Sequence, residues 1–153
     1  LREIPASEDG DFTYEKFEAR YNSDLASGLG NLVARVIKLA KIFNFQFSIL
    51  NKFSNSNFKK AANQARKNCK RALEEFRFNE ALIAIWELIG FCDRYIEKEK
   101  PWQKSKNQKE VVGNLLYAIS NIAEMLKSFL PETSEKILKQ LKTQKSEILF
   151  PRI

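Results

Sequence analysis

The chain has 153 residues, 44% of them apolar, enough for one domain with its own core. Twenty-six Lys and Arg against 19 Asp and Glu give a formal charge of +7, which suits either a polyanionic partner or a solvated basic surface. There is no histidine, which excludes imidazole catalysis, histidine-ligated metal and a histidine pH switch. Only five glycines and four prolines occur, and the apolar residues recur at helical spacing almost throughout. We therefore expect an all-α bundle of about five to six helices, with residues 1–153 as a single domain. No apolar run reaches the roughly eighteen residues a membrane span needs. The chain has no secretory leader pattern and no glycine-rich phosphate loop after a strand pattern. It starts at Leu1 rather than Met and ends on LFPRI, so we expect a piece of a longer polypeptide, soluble and cytoplasmic.

Residues 1–12 read as a connecting segment. The spacing predicts a short first helix over 14–21 with Thr13 as its N-cap. Asn22 or Ser23 can then cap a longer helix toward Asn44, with Leu25, Leu29, Leu32, Val36, Leu39 and Phe43 on its apolar face. Gly28 and Gly30 each cost that helix about 1 kcal/mol relative to Ala, which implies close backbone packing there. The stretch 45–57 permits either a loop with a buried ring or a continuing helix. A third helix over 58–76 sets Phe58, Ala61, Ala62, Ala65, Cys69, Ala72, Leu73 and Phe76 on one side and basic residues opposite. Asn79 can cap a fourth helix to Glu99, with Leu82, Ile85, Trp86, Ile89, Cys92 and Ile96 inside. After the lysine-rich connection KEKPWQKSKNQKE, a strongly periodic fifth helix covers 109–129. Pro131 fits the first position of a final helix reaching about residue 140, and the tail 143–153 is either a linker or a strap packed on the bundle.

Three positions carry candidate chemistry. Asn31 and Arg35 are four residues apart, so an amide and a guanidinium project from one helix face beside a buried stripe. Trp102 follows Pro101, which cannot continue a helix, so the indole is presented at a helix end among Lys98, Lys100, Lys104, Lys106 and Lys109. Each has a plainer reading: a solvated Asn–Arg pair, and a tryptophan capping the core. An aromatic interleaved with cations suits a stacked RNA base above a phosphate path, with Lys104 and Lys106 as candidate phosphate contacts. Cys69 and Cys92 both fall on apolar stripes, which fits small reduced hydrophobes; a disulfide or a reactive thiol is the alternative.

The segments RYNSDL and GNLVAR, then ALIAIWELIGFCDRYIEKEKPW, then FLPETSEKI and LFPRI, follow one another along the chain. In that order they resemble the C-terminal anticodon-binding domain of methionyl-tRNA synthetases, class I aminoacyl-tRNA synthetases. Leucyl-, isoleucyl- and valyl-tRNA synthetases share a weaker version. Residues 48–78 depart most from the family pattern. The resemblance implies that Asn31 and Arg35 read anticodon bases and that Trp102 stacks on a splayed base of CAU in methionine tRNAs. It also implies a methionine–tRNA ligase parent using ATP and magnesium, with any zinc in a catalytic half not contained in this chain. Neither a His-Ile-Gly-His nor a Lys-Met-Ser-Lys-Ser signature is present, so we expect no catalytic residue, no metal site and no cofactor in the chain itself. The expected partners are methionine tRNA and that catalytic half, with no membrane and no DNA. The rival reading is a basic helical bundle for general RNA binding or protein interaction.

Overall fold

A computed structural model describes residues 1–4, 9–46, 55–103 and 107–153. Among the described residues the fold is all-α, with no strand. Helix α1, Tyr14–Arg20, starts at Thr13, whose extended backbone (φ −128°, ψ 151°) lets its hydroxyl accept from the Lys16 N–H at 3.2 Å.

The chain does not restart at Asn22 or Ser23. It runs through a π-helical stretch, Tyr21–Gly30, straight into α2, Asn31–Ile42, and both junctions keep right-handed helical dihedrals. The wide turn explains the glycines: a Cβ at Gly28 would lie 3.3 Å from the Ser23 carbonyl oxygen, and one at Gly30 3.1 Å from that of Leu25. Asn22 is instead taken by the tail, donating to the Ile153 carbonyl at 2.7 Å and accepting from its N–H at 3.1 Å.

Helix α2 buries Leu32, Val33, Val36, Ile37, Leu39 and Ala40 and stops where Asn44 turns left-handed (φ 47°), which tucks Phe45 into the core. The rest of the ambiguous stretch, 47–54, lies outside the described residues. Helix α3, Ser56–Glu74, begins on Asn55, whose side chain accepts from the Asn57 and Phe58 N–H groups at 3.0 and 3.1 Å. Phe58 sits edge-on between Phe91 and Tyr95, with ring centroids 4.9 and 4.7 Å away. The contact joins the start of α3 to the far half of α4, Phe78–Glu99, so the two helices run antiparallel.

The corner between them differs from the sequence reading. Phe76 adopts a left-handed conformation (φ 58°) that ends α3 and turns its ring outward, 74% exposed, rather than onto the apolar face. Arg77, not Asn79, precedes the first turn of α4, and its guanidinium pairs with Glu75 and Glu80.

Helix α5, Gln108–Leu126, is the centre of the bundle, buried on nearly every side. Its Asn114 is fully buried, accepting from the Asn55 N–H at 2.9 Å and donating to the Tyr95 hydroxyl at 3.2 Å. One side chain thus ties α3, α4 and α5 together. Asn114→Leu is expected to strand the Asn55 donor and cost about 1–3 kcal/mol in urea unfolding; an unchanged midpoint would show that the network adds no net stability.

Pro131 opens α6, Pro131–Thr143, and the tail beyond it is a strap. Gln140 is buried and grips Glu147 through both its amide groups at 3.2 Å. Phe150 meets Tyr21 edge-on, at 6.2 Å between ring centroids, and lies 3.6 Å from the Cβ position of Gly30. Trp86 is half-buried against the core, with the Arg2 guanidinium 5.3 Å from its ring. Cys69 and Cys92 are buried and unpaired, and burial raises both thiols, which keeps them protonated.

Candidate nucleic-acid interface

Asn31 opens α2 immediately after the π-helical stretch, so the wide turn sets the angle at which the Asn31–Arg35 face leaves the bundle. Asn31 is exposed, and its carboxamide has no hydrogen-bond partner among the described residues. It borders a groove of about 420 Å³ between Ala26, Gly30 and Ala34 on one side and Ser146–Phe150 of the tail on the other. Farther along α2 a second groove of about 550 Å³ takes up Arg35, Lys38, Lys41 and Lys145. Ala34 and Ser146 border both, so the two read as one channel walled by the tail. Leu149 and Phe150, packed against the core, fix that wall in place.

Trp102 reaches the same region from α4. Lys100 ends the helix left-handed (φ 41°, ψ 61°), its N–H still bonded to the Ile96 carbonyl at 2.9 Å. Pro101 is buried, whereas Trp102 is 52% exposed. Gln108, the first residue of α5, donates to the Pro101 and Gln103 carbonyls at 3.0 and 2.7 Å and pins the turn. The indole is therefore held by its neighbours' backbone and not by burial of its own ring.

Arg35 and Trp102 come together. The guanidinium carbon lies 5.8 Å from the ring centroid, within cation–π range, and a guanidinium N–H donates to Glu97 at 2.8 Å. That ion pair is exposed on the Glu97 side, so it contributes little and is readily exchanged for another anion. Asp93 lies one turn before Glu97 on α4. Partial burial pushes its carboxyl above the usual range; Arg35 opposes the shift, Glu97 adds to it and Arg94 opposes it. Glu97, Asp93 and Gln108 carry no signal in the sequence, because each acts through the packing of α2, α4 and α5. Lys104 and Lys106 lie outside the described residues.

Among the described residues no group of three or more His, Cys, Asp or Glu is placed to hold a metal ion. No described helix is long and apolar enough to cross a membrane.

The fold defines a class, an all-α module that presents an exposed indole beside a guanidinium on its surface. Residues 37–151 match the family model described as the anticodon-binding domain of tRNA ligase, and residues 1–37 match that of class I tRNA synthetases of the M type. The chain belongs to the anticodon-binding domain family of tRNA ligases. Arg35 falls under one model and Trp102 under the other, so the site straddles their boundary. All of the chain aligns with methionine–tRNA ligases of Clostridium tetani, 33% identical over 182 residues, and Bacillus subtilis, 31% identical over 186 residues. It spans 28% of the length of each. Its fold superposes on an apo Mycobacterium tuberculosis methionyl-tRNA synthetase with a TM-score of 0.84 at 22% identity, covering 99% of this chain and 37% of that one.

Proposed function

We propose that the chain recognises the CAU anticodon loop of methionine tRNAs as the C-terminal part of a methionine–tRNA ligase in the cytoplasm. The observation that carries this reading is the meeting of Arg35 with the exposed face of Trp102, one turn from the unpartnered Asn31 amide. A base splayed out of the loop stacks on the indole, where the ring already attracts a planar cation. Arg35 exchanges its exposed carboxylate for a base edge or phosphate, and Asn31 offers an amide donor and acceptor to the neighbouring base. Lys38, Lys41 and Lys145 line the channel that leads away along α2 and suit the loop's phosphates. Lys104 and Lys106 are assigned further phosphate contacts. ATP, magnesium and any zinc belong to the catalytic half of the parent enzyme, and the chain by itself carries no adenylate chemistry.

Asn31→Ala and Arg35→Ala are each expected to weaken a CAU stem-loop by about 1–3 kcal/mol more than a stem-loop with a changed first anticodon base. Arg35→Lys should rescue little, because an ammonium lacks the planar fork. Equal losses on both RNAs, measured by fluorescence anisotropy, would reassign the pair to sequence-blind backbone contacts and favour a general RNA-binding module.

A further inference from the structure

The positive charge of the chain is not spread evenly. Residues 56–77 hold seven of the 26 cations and two of the 19 acids, a net of +5 that leaves +2 for everything else. Six of the seven cations, Lys59, Lys60, Arg66, Lys67, Lys70 and Arg71, lie on α3 and are exposed. At 3.6 residues per turn they form two adjacent rows, Lys59–Arg66–Lys70 and Lys60–Lys67–Arg71, rising about 18 Å along the helix. The opposite face is buried through Phe58, Ala62, Ala65, Cys69 and Ala72, so packing fixes the direction in which the rows point. Among the described residues the only ion pair on these six is Lys70 with Glu74, at 3.8 Å and with both side chains exposed. On α4, Arg94 and Glu87 border the groove shared with α3, beside Gln64 and Asn68.

We propose that this face of α3 is a second RNA contact, taking the phosphates of the duplex stem next to the anticodon loop without reading its sequence. The identity of the RNA rests on the anticodon reading; the contact itself rests on charge and geometry. Six exposed cations over about 18 Å match a repeating anion better than any single ligand. Asn63 lies between the rows and Asn57, Gln64 and Asn68 flank the second, amides of a kind that donate to phosphate and ribose oxygens. A helix lying on a lipid surface would need apolar side chains at its edge, and those of α3 are turned into the core. The position also fits. Phe58 packs on Tyr95, so the start of α3 lies at the end of the bundle that carries Trp102, and Arg94 and Lys98 border the cleft beside Asn55 and Asn57. Glu99 and Glu110 line the same cleft, so its charge is balanced and the net positive charge lies on the two rows of α3.

The test is the triple variant Lys60→Gln, Lys67→Gln, Arg71→Gln, since glutamine keeps helix propensity and removes charge. Three RNAs are titrated at several salt concentrations: the CAU stem-loop, the stem-loop with a changed first anticodon base, and the loop sequence as a single strand. Both stem-loops should bind at least roughly tenfold more weakly, and the salt slope should flatten by about 0.7–0.9 for each phosphate no longer neutralised. Their ratio and the affinity for the single strand should stay at parent values. The double variant Lys60→Arg, Lys67→Arg should bind as the parent does, and melting curves of all variants should coincide. Unchanged affinity and slope would overturn the proposal, as would an equal loss on the single strand. Loss of binding to phosphatidylserine vesicles with RNA binding intact would also overturn it, in favour of a membrane contact. If the parent shows no preference for CAU, the anticodon reading fails, while a loss confined to the stem-loops would still uphold the basic face.

Discussion

Phe58→Ala is expected to destabilise the chain by roughly 3–5 kcal/mol, at the upper end for a single side-chain truncation. Phe58 is 1% exposed, and its ring is clasped edge-on by Phe91 and Tyr95. Removing it leaves a cavity where α3 meets α4, at the junction that Asn114 also secures, so the surroundings have little freedom to collapse. Phe58→Leu should recover much of the loss by refilling volume without the ring contacts. Urea unfolding measures both variants. A loss under about 1 kcal/mol for the alanine variant would mean that the α3–α4 contact is slack and that the antiparallel pair is held elsewhere.

Trp102→Ala is expected to do the reverse, weakening the CAU stem-loop by about 1–3 kcal/mol and leaving the melting midpoint nearly where it was. The turn that carries the ring is fixed by buried Pro101, by left-handed Lys100 and by the two hydrogen bonds from Gln108, none of which involves the indole. What alanine removes is a stacking face and the seat of the Arg35 guanidinium. Trp102→Phe keeps a π-face and should restore part of the affinity. If the alanine variant instead loses stability on the scale of a core truncation, the ring is a cap on the bundle and its part in binding is indirect.

The helices and their apolar faces were legible in the sequence wherever a 3.6-residue period ran unbroken, as in α5, the strongly periodic segment, which is buried on nearly every side. Thr13 and Pro131 were legible as helix starts because their signals are local. Asn22, Ser23 and Asn79 carry the same local signal and were misleading. At the first two the chain continues through a π-helical stretch, so no helix start exists to be capped. At the third, ion pairs of Arg77 hold the corner. Phe76 was misplaced because its left-handed backbone, a property of the corner, takes it off the helical period. At the site, Trp102 was legible as an exposed ring from the proline before it and the lysines around it. The approach of Arg35 to that ring, the carboxylates of Glu97 and Asp93 beside it, and the clamp from Gln108 arise from packing between distant segments, and no spacing rule reports them.

Anticodon reading is measured by the affinity of the unaltered chain for a CAU anticodon stem-loop against one differing only in its first anticodon base, at a single salt concentration. Reading of the anticodon predicts a preference for CAU of about fivefold or more, since one lost base-edge pairing is worth about 1–3 kcal/mol. Equal affinities for the two RNAs would contradict it and leave a basic helical bundle that binds RNA without reading it.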